Sequence, residues 1–250
     1  MCCFSRPVQQ VADTKIYARD SKDGKQFVVY SMLVSSKEDL AMILPIPTPK
    51  DAKDDAVRFL NFQTYPKFFS DMANGFPEPR FNMPAFGGLG GFGGAGAMPP
   101  PPLKVVDVGS YEASFVPAVK DFARLDERFR LSSDVWEKLP QYKDWGFAVF
   151  KLKKGTRYIH PMGFEFPRAN PKQLFFPTVH IHDGKVHPKA GYDHALYCQS
   201  DSVKMMGWRE SVRPAGMFLS APRLGALIEP RKHVYYLSMV GELKNEDVTV

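Results

Sequence analysis

The chain has 250 residues, enough for one large core or two small ones. Its 44% apolar and 13% aromatic content, with 20 Phe, belongs to a globular protein and excludes a fibrous or wholly disordered one. The net charge of +6 admits an anionic partner, but the basic residues are scattered, and the compact run KLKKGTR at 151–157 reads as a solvated strand end, which argues against nucleic acid.

In chain order, the opening MCCFSRPVQQVADTK lacks a charged head followed by an apolar run, so it does not read as a signal peptide. No apolar stretch is long enough to span a membrane, and the expected compartment is the cytoplasm, where thiols stay reduced. TKIYAR (14–19) and QFVVYSMLV (26–34) flank DSKDGK, whose Asp-Gly step signals a hairpin. LAMILPIP (40–47) follows as a third strand of a meander. YPKFFSDMANG then reads as a short helix, with Pro66 in its first turn and Gly75 past its end.

The segment 77–104, Gly-rich and then Pro-rich, can hold neither a helix nor a central strand, and its composition predicts a long mobile loop. It lacks the strand, helix and Lys-Ser/Thr that a phosphate-cradling loop requires. We expect one domain over 1–250 with this loop inside it; the alternative is two halves, 1–76 and 105–250. Beyond it, KVVDVGSYEASFV (104–116) is a strand pair, and PAVKDFARLDERF places Phe122, Leu125 and Phe129 at helical spacing. SDVWEKL is a second short helix capped by Ser133 or Asp134. WGFAVFKLKKG (145–155) alternates as an inner strand would, and 172–250 returns to strands and turns. The expected class is α+β, strand-rich, with mostly antiparallel sheets and a few short helices.

The stretches AMILPIP (41–47), DVGSYEASFV (107–116) and QYKDWGFAVFKLKKG (141–155) resemble a family of uncharacterised bacterial proteins, many of them exported, classed as a domain of unknown function. The order is similar: a strand ending in Pro-x-Pro, a variable loop, a Tyr-containing strand, a short helix and an aromatic strand. The resemblance covers roughly half of the chain, implies a shared fold and a mature chain beginning near a cysteine such as Cys2, and brings no activity. The chain departs from the family in lacking an export signal and in its histidines.

Those histidines lie in TVHIHDGKVHPK (178–189). If Asp183-Gly184 forms a two-residue hairpin turn, His180 lies opposite His187, and alternation puts His180, His182 and His187 on one face. Three neutral imidazoles suit copper, zinc or iron and leave a position open for a small molecule. Tyr192, Asp193 and His194 could supply a fourth ligand or an orienting partner, and Cys198 is a further candidate ligand. The competing interpretation is a solvated polar hairpin, which Lys185 favours. His160 and His233 are isolated and read as hydrogen-bonded core or surface residues.

Removal of Met1 would expose Cys2 as an N-terminal nucleophile, its own amine acting as base for amide hydrolysis. Cys2 and Cys3 could instead be thiolate ligands, or small buried apolar residues. If the first strand lies beside 178–198 in a sheet, Cys2 or Cys3 would complete a His-Cys site biased towards copper or zinc. The leading expectation is a transition-metal protein built on His180, His182 and His187. The alternatives are an N-terminal cysteine hydrolase and a non-enzymatic binding or scaffold module.

Overall fold

The computed structural model describes residues 2–77, 105–108, 111–131, 133–200 and 207–250. The expected loop at 77–104 lies outside these from residue 78 onward, as do the side chains of the proposed helix caps Ser133 and Asp134. The elements are β1 (Cys2–Phe4), β2 (Gln10–Asp20), β3 (Lys25–Ser36), β4 (Leu40–Ile46), β5 (Arg58–Leu60), α1 (Phe68–Ala73), β6 (Val106–Val108), β7 (Tyr111–Val116), α2 (Ser133–Glu137), β8 (Gly146–Leu152) and β9 (Gly155–Pro167). They continue with β10 (Phe175–Phe176), β11 (His180–Ile181), β12 (Lys189–Gln199), β13 (Arg209–Glu210), α3 (Ala221–Leu224), β14 (Tyr235–Lys244) and β15 (Val248–Thr249).

Two sheets face each other. One runs β11-β1-β4-β8-β7-β6 and the other β13-β14-β12-β2-β3-β9-β5; β10 and β15 form a small separate pair. The alternation of each strand shows why both faces are covered. In β4, LAMILPI, every residue is buried. Leu40, Met42, Leu44 and Ile46 point between the sheets, while Ala41 and Ile43 point into an outer layer. In β3, Val28, Tyr30, Met32 and Val34 point inwards and Phe27 and Val29 outwards.

The outer layers are made of short helical turns. Phe122, Leu125, Phe129 and Trp136 cover the six-stranded sheet. Phe68, Phe69 and Met72 of α1, with Leu219, Leu224 and Leu227, cover the seven-stranded one. Phe122, Leu125 and Phe129 are buried together, as their spacing predicts, but Phe122 and Phe129 lie on 3-10 turns at Val119–Arg124 and Glu127–Phe129, with Leu125 in extended backbone between them, in place of one α-helix.

The molecule is strand-rich, 44% strand and 16% helical among the described residues, and its sheets are mixed. β1 pairs with β11, and β2 with β12, in parallel. Parallel neighbours need long connections, and the chain between these strands supplies them. The β2–β3 hairpin forms at the expected step, with Asp23 and Gly24 both at positive φ. The meander expectation is corrected at β4, which leaves β3 for the other sheet and pairs with β1 and β8. Fully apolar on both faces, β4 is suited to the centre of a doubly covered sheet. Strands from either side of residues 78–104 interleave in both sheets: β4 lies beside β8, and β3 beside β9.

Candidate functional site

The histidine cluster lies where the edge of one sheet meets the face of the other. In β11, Ile181 joins Val179 and Cys3 in the outer apolar layer, so alternation turns the intervening His180 towards the space between the sheets. On β12, Tyr192, His194, Leu196 and Cys198 share a face, and Leu196 and Cys198 belong to the core between the sheets. The two strands thus bring His180 and His194 together.

Their Nε2 atoms stand 3.0 Å apart, and both residues are buried. His182 stacks on His180 with ring centroids 4.8 Å apart and planes within 20°, and Phe4 stands 5.6 Å from His182. Tyr192 stacks on His180 at 4.5 Å. Asn245 clamps the His180 backbone: its Oδ1 accepts from the His180 amide at 2.7 Å, and its Nδ2 donates to the His180 carbonyl at 2.9 Å. Asn245 also reaches the carbonyl of His187, at 2.9 Å.

Burial holds all three imidazoles neutral. It takes the His180 pKa down to about 2, with the neighbouring His194 and His182 adding to the effect. His182 falls to about 4 for the same reasons. His194 is also lowered by burial, against the opposing pull of Asp193. Asp193 Oδ1 lies 3.6 Å from His194 Nδ1, and Asp193 Oδ2 accepts the amide of Asp13 at 2.5 Å. Asp13 sits at φ 53 in the register shift between Ala12 and Lys15, directly before Thr14, the residue that pairs with His194. Such bulges re-aim side chains beside functional sites.

Three buried polar atoms at this site have no hydrogen-bond partner among the described residues: His182 Nε2, His194 Nδ1 and Thr14 Oγ1. Native proteins leave few such atoms, and each calls for a physical reason, such as a bound ion or water.

The expected hairpin is corrected. β11 ends at Ile181 and pairs with β1, not with residues 186–187. The edge that carries the His180 amide and carbonyl, where the hairpin partner would lie, is held instead by the Asn245 side chain, which also binds the His187 carbonyl. Asp183 instead forms a polar turn, accepting from the Lys185 amide and pairing with His187 Nε2 at 3.0 Å. His187 is therefore an exposed turn residue, while His194 takes the place beside His180.

The N-terminal strand does lie beside the cluster, with Cys2 in register with His180 and Cys3 with Ile181. The Cys3 side chain is fully buried in the outer layer, on the face away from His180; that of Cys2 lies outside the described residues. Cys198 is buried in the inner core, where burial raises its thiol pKa well above the ordinary range. His160 stacks on Tyr111 at 4.6 Å, and His233 bonds the Ser211 carbonyl through Nδ1 at 2.7 Å. Residue patterns do not reveal Asn245 and Thr14, because their roles arise from strands far away in sequence.

No family model matches the chain, and no curated protein matches it. Its fold is similar to that of baculovirus P35: the crystal structure of P35 aligns with a TM-score of 0.50 at 15% identity, covering 97% of this chain and 96% of that one. A structure of P35 in complex with caspase-8 aligns with a TM-score of 0.48 at 13% identity over 95% of each chain. The likeness is one of fold.

Proposed function

We propose that this chain is a protein-binding module whose partner is a cysteine protease of the caspase class. The observation that carries this reading is the end-to-end likeness to baculovirus P35, over 97% of this chain and 96% of that one. A fold alone hosts many functions. Here, however, the likeness takes in both sheets and their outer layers, not one supersecondary unit. P35 itself is seen in complex with caspase-8.

The surface supports a binding role. Beyond its short pairing with β13 at Tyr235 and Tyr236, the outer edge of β14 has no strand beside it among the described residues. Val240 on this stretch is 71% exposed. Unpaired main-chain groups on such an edge can accept an extended partner segment as an added strand.

The test is direct. Purified chain is mixed with recombinant caspase-8, hydrolysis of a reporter peptide is followed, and the mixture is run on a sizing column. The expected result is loss of hydrolysis at equimolar chain together with a complex of the summed mass. Full hydrolysis under a large molar excess of the chain, with no co-elution, would sink this reading.

A further inference from the structure

We infer that His180 and His194 form a binding site for a borderline divalent transition metal, with zinc as the reference ion, and that the bound ion ties the two sheets together. The inference is independent of the protease reading. It rests on geometry first. A metal–nitrogen distance near 2.0–2.1 Å at a tetrahedral angle sets two ligand nitrogens roughly 3.3 Å apart. The two Nε2 atoms stand 3.0 Å apart, so an opening of about 0.3 Å, with a tilt of each ring that turns both lone pairs to one point, seats the ion.

The surroundings fit the same chemistry. Ligating histidines usually direct their second nitrogen at a carboxylate, which fixes the tautomer and strengthens the ligand. His194 approaches this arrangement: its Nδ1 lies 3.6 Å from Asp193 Oδ1, just beyond hydrogen-bond distance, and a small shift closes it. Asn245 fixes the His180 backbone through two hydrogen bonds, and Tyr192 packs against its ring. Both ligands are thus held on strands rather than on a loop, the arrangement that keeps a site precise.

A third nitrogen is close at hand. Among the described residues no three His, Cys, Asp or Glu side chains already surround one point. His182, however, is stacked on His180, and its buried Nε2 has no partner among the described residues, which makes it the candidate third ligand. Water completes the shell. Because β11 belongs to one sheet and β12 to the other, the ion is a cross-sheet staple and should stabilise the fold by mass action.

The competing account is a plain hydrogen bond between two neutral imidazoles. Untagged, chelator-stripped protein titrated with zinc chloride separates the two. One zinc per chain is expected, with a raised melting temperature. His180→Gln and His194→Gln should each weaken binding by at least roughly tenfold, and Asp193→Asn by about tenfold. His187→Ala should bind as the parent does. Absence of saturable uptake, unchanged binding in both glutamine variants, or loss of binding in His187→Ala would overturn the inference. Should the glutamine variants fail to fold, X-ray absorption of the zinc-loaded parent decides: two or three imidazole nitrogens support the site, and a shell without imidazole removes it.

Discussion

At the scale of single residues, His180 and His182 are the costly ones, because each must stay neutral to remain buried. Their pKa values in the folded chain, about 2 and about 4, lie below the unfolded value near 6.5. The sign follows from proton counting. Well above the unfolded value near 6.5 neither state is protonated, and stability is unaffected. Below it the unfolded chain takes up protons that the folded chain refuses, so stability falls with pH, down towards pH 4 for His182 and further for His180. Each histidine contributes a slope of at most about 1.4 kcal/mol per pH unit. Denaturation curves in a chelating buffer should therefore show constant stability from pH 8 to about 7 and a decline from about 6.5 to 5. His182→Phe should flatten that decline, and an unchanged slope would show that His182 is not the neutral, buried group described. A nearby contrast is His187, which is exposed and paired with Asp183.

At the scale of elements, β11 is two residues long and cannot hold itself in place. It is fixed from outside, by β1 on one edge and by side chains of the tail. Asn245 supplies hydrogen bonds to the amide and carbonyl of His180 and to the carbonyl of His187. Asp247 Oδ1 accepts the amides of Thr178 and Val179, and its Oδ2 accepts the Tyr142 hydroxyl at 2.6 Å. Net values near 1 kcal/mol per bond make Asn245→Ala worth roughly 2–3 kcal/mol. Amide exchange at His180 should rise more than at residues in the middle of β3. Equal protection in the parent and the variant would mean that β1 alone holds β11.

At the scale of the whole molecule, strands from both sides of residues 78–104 alternate within each sheet. β2 and β3 lie between β12 and β9, and β4 lies between β1 and β8, so neither sheet can be completed by one side of the chain alone. Tryptophans report on different layers: Trp136 sits in the outer layer of the six-stranded sheet, and Trp208 packs against the inner core. Fluorescence and circular dichroism should give coincident denaturation curves, as expected of a single cooperative transition. Separate transitions would show that the outer layers melt independently. Phe150, fully buried between the sheets, is the matching probe: Phe150→Ala should cost about 3–5 kcal/mol and shift both signals together.

What the sequence determined by itself were the local elements whose signals are written in neighbouring residues. The β2–β3 hairpin follows from its Asp-Gly step, the inner position of β8 from its alternation, the short helix before Gly75 from its turn residues, and the burial of Phe122, Leu125 and Phe129 from their spacing. The placement of a histidine-bearing segment beside the N-terminal strand was also accessible as an expectation, since first strands often pair with distant ones. The tertiary structure decided which sheet each strand joins and which histidines meet. The Asp183-Gly184 step predicts a hairpin on local grounds alone, but Asn245, from the tail, takes the His180 amide and carbonyl, and His187 stays on the polar turn. His194 reaches His180 across the space between the sheets, a contact set by the packing of two sheets and encoded in no local run of residues.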